Sequence, residues 1–173
     1  MATKGQNKFI TEVLKEINDD VSLFHSTYKK VGTGGPMATL FKHAFTSAGK
    51  FLLPDGDPPY KVNPNPIGMT PAIFQQEISR FYVFCRKDIS ASKRETMFVQ
   101  LLEAIHPDEA KVLLAVKDQT LTKLYPNITR SVVAEAGFIP PLTAEELQQE
   151  RALVKKSAGP KGKRKSGTPQ PTP

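Results

Sequence analysis

Residues 52–71 read "LLPDGDPPYKVNPNPIGMTP" and bring Pro54, Pro58, Pro59, Pro64, Pro66 and Pro71 into one short span. A proline lacks an amide hydrogen and holds φ at about −65°, so it neither continues a helix nor pairs inside a sheet. The span is thereby barred from both regular structures, and the core has to come from the sequence on either side. Asp55, Gly56 and the Pro58–Pro59 pair favour turns and extended backbone. Yet Phe51, Leu52, Leu53, Tyr60, Val62, Ile67 and Met69 make the segment too apolar for a solvated linker. The expectation is an ordered strap over residues 51–71, laid across helices by its apolar side chains.

Helical periodicity flanks it. Phe9, Ile10, Val13, Leu14, Ile17, Val21, Phe24 and Tyr28 recur at threes and fours and predict one long first helix, with Glu12, Lys15, Glu16, Asp19 and Asp20 opposite. "VGTGGP" stops it, and Pro36 opens a second helix carrying Leu40, Phe41, Ala44 and Phe45. After the strap, Thr70 and Pro71 predict the cap and first position of a third helix with the stripe Phe74, Ile78, Phe81, Tyr82 and Cys85. Val83 and Phe84 make its other side apolar, which predicts a central position. A fourth helix capped by Ser90 or Ser92 and a fifth beginning at Pro107 predict a hairpin. "TRSVVAEAG" predicts a short helix stopped by Gly137, and Thr143 with Glu146 a capping box for a last one. The fold class expected is all-α: a single compact helical domain of about five to six helices over residues 1–139, an exposed helix at 140–156 and a disordered basic tail at 157–173.

Charge separates that tail from the rest. The chain of 173 residues carries +7, and Lys155, Lys156, Lys161, Lys163, Arg164 and Lys165 account for six of it, leaving +1 for residues 1–154. The tail is a candidate for binding DNA or RNA by counterion release, or else a solubilising extension; without interleaved aromatics it has no means of stacking on bases. No apolar run approaches the roughly 18 residues of a membrane span. One cysteine forms no internal disulfide and "MATKGQNKFITEVL" lacks the apolar core of a secretion signal, which together predict a soluble protein in a reducing compartment.

Catalytic chemistry finds little footing. His25, His43, His106 and Cys85 are the groups that titrate nearest neutrality, and they fall on different predicted elements without metal-ligand spacing. Cys85 lies in register with an apolar stripe and reads as a small core hydrophobe rather than a thiolate, despite Arg86 and Lys87. "GTGGP" lacks the spacing and lysine of a phosphate loop, and "DGD" lacks the alternating ligands of a calcium loop. The expectation is a binding protein, not an enzyme, with no cofactor and no metal.

The segments "ATLFKHAF", "KFLLPDGDPPYK", "GMTPAIFQQEISRFYVFCRKD", "KRETMFVQLLEAI", "EAKVLLAVKDQTLTKLYPNIT" and "VVAEAGF" resemble a family of small proteins of T-even-type phages, including cyanophages. The resemblance covers roughly residues 8–138. Some members of that family carry the label of inhibitor of the prohead protease, which cuts after Glu in Leu/Ile-x-Glu triplets during head maturation. The resemblance therefore implies an accessory role in capsid assembly in the cytoplasm of the infected bacterial host, with a phage or host protein as partner. It draws attention to Ile10 with Glu12, Leu14 with Glu16, and Leu101 with Glu103 as a pseudo-substrate; the competing reading is that Ile10 and Leu14 are core positions and Glu12 and Glu16 solvated. Asp55, Asp57 and Lys61 of the stiff strap are the other candidate partner contacts, since a preordered surface loses less entropy on binding.

Overall fold

A computed structural model describes residues 8–24, 35–141, 143–146 and 148. His25, Tyr28, most of the helix expected at 140–156 and the basic residues from Lys155 to Lys165 lie outside the described residues. The chain divides into two units, Met1–Pro141 and Leu142–Pro173. The first is an all-α domain, and no strand occurs among the described residues. In the second, Thr143 and Glu146 form the expected capping box: the Thr143 amide donates to Glu146 Oε2 at 3.0 Å and the Glu146 amide to Thr143 Oγ1 at 3.4 Å.

Helix α1 spans Ile10–Asp19 and buries Ile10, Val13, Leu14 and Ile17. It ends at Asp19, although its apolar stripe runs on to Val21 and Phe24. At Asp20 the backbone turns extended, and Asp20 Oδ1 accepts from the Ser22 amide at 3.0 Å and from its hydroxyl at 2.6 Å. Aspartates compete for backbone donors in this way and are disfavoured at the negative end of a helix, so "NDD" ends α1 although the stripe runs on. Ser22 and Leu23 are helical again, and Phe24 lies in the core, fully buried against Phe41 and Phe138.

Helix α2, Pro36–Phe45, starts at its proline as expected and is followed by a 3-10 turn, Ser47–Gly49, folded back against it. That return works only with glycine: a Cβ at Gly49 would lie 2.4 Å from the Lys42 carbonyl oxygen and 2.8 Å from His43 Cα.

The third helix departs from its prediction. It begins at Phe74 rather than Pro71, runs as α3 over Phe74–Glu77, and continues as a 3-10 helix over Ile78–Cys85. Thr70 does not cap it; its hydroxyl donates to the Ala72 carbonyl at 2.9 Å. With three residues per turn, side chains at i and i+3 eclipse, so Ile78, Phe81 and Phe84 form the buried row while Tyr82 stands 56% exposed. The apolar period here is three, not 3.6.

Helices α4 (Ala91–Ala104, capped by Ser90) and α5 (Pro107–Lys117) follow with two residues between them. Helix α5, not the third, is central: it packs on α1, α2 and α4 and buries every residue from Val112 to Lys117. Its run "VLLAV" is apolar all round, the signature of a buried helix. Gln119, at φ 55°, ends it and donates through Nε2 to the carbonyls of His43 (3.2 Å) and Thr46 (2.7 Å), closing the end of α2. Short helices α6 (Leu121–Leu124) and α7 (Arg130–Glu135, capped by Thr129) complete the domain, and Gly137 takes the positive φ that stops the last. Replacing Gly49 by Ala overpacks this site, and chemical denaturation should register a loss of about 1–3 kcal/mol.

Candidate functional site

The proline-rich strap is ordered; Phe51, Leu53 and Tyr60 pack on the core as expected, Leu52, Val62 and Met69 do not, and polar contacts add anchors that the apolar reading lacked. Leu52 is exposed, Val62 is 61% and Met69 75% exposed; Phe51 alone among the strap's apolar side chains is fully enclosed, with Leu53, Tyr60 and Ile67 half-buried. At the strap's start the Leu52 amide donates to the Phe84 carbonyl at 2.9 Å, and Arg94 Nε donates to the Leu52 carbonyl at 2.7 Å. Arg94 Nη1 also reaches the carbonyls of Arg86 (2.7 Å) and Ile89 (2.9 Å). Lys117 Nζ donates to the Pro54 carbonyl at 2.9 Å and pairs with Asp118. Further on, the Lys61 amide donates to Glu103 Oε1 at 3.0 Å, and Asn63 Nδ2 to the Glu103 carbonyl at 2.9 Å.

These anchors set the strap's shape. Leu52 is tied to Arg94 and Lys61 to Glu103, so nine steps of strap run beside nine steps of α4. Nine helical residues rise about 13.5 Å, whereas nine extended residues reach about 30 Å. The surplus has to bow away from the helix, and Gly56, at φ 88°, supplies a turn in the bow. Between the bow and α4 lies a groove of about 600 Å³ whose apolar lining includes Leu53, Pro58 and Val99. Asp55, Asp57 and Glu95 also line it and enter no ion pair among the described residues. The Lys61 side chain is exposed outside the groove.

The Leu/Ile-x-Glu triplets have other surroundings. Ile10 and Leu14 are in the core; Glu12 Oε2 accepts from the Phe9 amide at 3.0 Å as the N-terminal cap of α1, and Glu16 pairs with Lys8. Leu101 is half-buried, and Glu103 is committed to the strap.

Folding does bring His43 and Cys85 together, with 3.6 Å between Nδ1 and Sγ. Nδ1 is also 2.8 Å from the Gly49 carbonyl, which only accepts, so Nδ1 carries the proton and offers the thiol no base. Cys85 itself donates to the same carbonyl at 3.5 Å. Burial pushes the Cys85 thiol up and the His43 imidazole down, among the rings of Phe51 and Phe81. The pair is a packed structural feature and not an activated nucleophile. His106 caps α5, accepting from the Asp108 amide at 3.2 Å, while its own amide donates to Glu109 Oε2 at 3.2 Å. Burial raises the Glu109 carboxyl against the lowering effect of that hydrogen bond.

Among the described residues no group of three or more His, Cys, Asp or Glu could hold a metal ion, and no helix is long and apolar enough to cross a membrane. The residues that build the groove were largely missed by sequence reasoning, although a signal existed. Arg94 stands in helical register with buried Phe98 and Leu102, and Lys117 with buried Ala110 and Leu113. A cation on a core stripe marks a buried anchor.

Changing Arg94 to Leu strands the carbonyls of Leu52, Arg86 and Ile89, and should cost about 2–4 kcal/mol. Hydrogen exchange should show residues 52–63 and 86–90 losing more protection than α5. A second expectation concerns pH. Because the folded state lowers the His43 pKa, the unfolded state takes up the proton first, so this contribution is complete above about 6.5 and is lost as pH falls below it. Glu109, raised, acts oppositely in a window that opens above about 4.5. Urea midpoints taken between about pH 7.5 and 6 should therefore fall for the native chain and fall less for His43→Gln.

No curated protein and no solved structure matches the chain. A family of unknown function, DUF6433, matches residues 13–123, which run from α1 through the strap, α4 and α5 into α6, and the chain belongs to that family.

Proposed function

We propose that this chain is a non-enzymatic accessory protein of a T-even-type phage that acts by binding another protein in the host cytoplasm during capsid assembly, and that the prohead maturation protease is its partner. The observation that carries the binding reading is the bowed strap: an irregular surface anchored by buried cations, with carboxylates along it that enter no ion pair among the described residues. Such preordering lowers the entropy lost on association. Among the described residues His43 and Cys85 are engaged on the Gly49 carbonyl and His106 as a helix cap. The resemblance to phage proteins supplies the protease as the partner.

The contact with the protease belongs to the strap and not to the triplets of α1. Presenting Ile10 or Leu14 to a cleft means extracting side chains that each contribute about 1.5–3 kcal/mol by burial. A second reading, nucleic-acid binding through Lys155, Lys156, Lys161, Lys163, Arg164 and Lys165, draws on the concentration of charge there.

One experiment separates the two. The phage protease is given scaffold protein with increasing amounts of the chain, either full-length or cut before Lys155. Saturable slowing of scaffold cleavage by both forms is expected. Full protease activity at every ratio would sink the protease reading, and salt-sensitive DNA binding lost with residues 155–173 would put the second reading in its place.

A further inference from the structure

The groove under the strap has a chemistry that selects its occupant, and we infer that it docks an extended, cationic segment of a partner protein carrying an apolar side chain between its basic ones. This rests on the protein-binding reading above and names the class of ligand. Three carboxylates, Asp55, Asp57 and Glu95, come from two separate elements and converge on one groove, and among the described residues no cation pairs with them. Lys117, which also lines it, is already satisfied by the Pro54 carbonyl and Asp118. The groove is thus negative in a fold that carries only +1 over residues 1–154, so its sign is local and not a reflection of overall charge. That sign repels phosphate and favours lysine or arginine.

The mode of contact follows from the prolines. Pro58 and Pro59 have no amide hydrogen, so they cannot pair with an incoming strand as a sheet edge does. Recognition falls to side chains: an apolar residue against Leu53, Pro58 and Val99, flanked by cations reaching the carboxylates. A volume of about 600 Å³ suits a few side chains of a peptide and not a folded domain. The two anchors keep the strap standing off α4 before anything binds, so the site exists in the free protein.

A fluorescein-labelled nine-residue peptide alternating lysine with leucine and proline, titrated with the full chain, tests this by anisotropy. A matched peptide with glutamate for lysine is the control. Saturable micromolar binding of the cationic peptide is expected, with at least about tenfold weakening by combined Asp55→Asn, Asp57→Asn and Glu95→Gln. A separate Val99→Lys substitution, which fills the apolar lining and adds a cation, should weaken it similarly. Absence of saturation, equal binding of the acidic peptide, or unchanged affinity in the triple variant overturns the inference. The same preparations in the protease assay keep the two readings apart. Groove-dependent peptide binding without protease inhibition retains the docking site and removes the protease; inhibition undiminished in the triple variant removes the docking site and retains the protease.

Discussion

Arg94 carries a guanidinium charge, and the fold encloses its side chain almost completely. A buried guanidinium must be answered by acceptors, and here they are three backbone carbonyls from two loops: Leu52 at the head of the strap, and Arg86 and Ile89 between the 3-10 helix and α4. Among the described residues no carboxylate pairs with it, so the charge is spent on organising backbone. Two segments without regular structure of their own acquire a fixed course because one side chain on α4 needs their oxygens. Lys117 repeats the device from α5, holding the Pro54 carbonyl.

The consequence reaches beyond the anchors. With the strap pinned beside Arg94 at one end and Glu103 at the other, its length exceeds the distance it has to cover, and the excess becomes the wall of a groove. Behind this wall lies an aromatic cluster in which Phe51 packs on His43, Phe81, Phe84 and Phe98, with ring centroids 5.1–6.3 Å apart. Phe51 is where the strap joins the core. Core and groove are therefore coupled through the same few residues: Phe51 enters the aromatic cluster while its neighbour Leu52 is held by Arg94.

Much of the architecture was legible in the residue pattern. The all-α class, the starts of α2 and α5 at their prolines, the capping of α4 by Ser90, the glycine stop after α7 and the Thr143–Glu146 box all rest on local chemistry that a few neighbouring residues decide. The misses share a cause. The break after α1 at Asp20, the 3-10 course of Ile78–Cys85 and the centrality of α5 turn on competition between a local preference and packing partners distant in sequence. A row such as Ile78, Phe81 and Phe84 is compatible with either helix type, and its neighbours choose.

The candidate site divides the same way. The proline-dense sequence alone determined that residues 52–71 would be stiff, irregular and outside any helix or sheet, because proline's ring and missing donor act wherever it stands. It also placed Asp55 and Asp57 on that segment. Only the tertiary structure decided that Glu95 would join them, that buried cations would hold the strap in addition to its own Phe51, Leu53 and Tyr60, and that a groove would open beneath it. Those outcomes depend on where α4 and α5 bring Arg94, Glu103 and Lys117. Contacts between residues some 40 to 60 positions apart leave in the sequence only the faint mark of a cation on an apolar stripe.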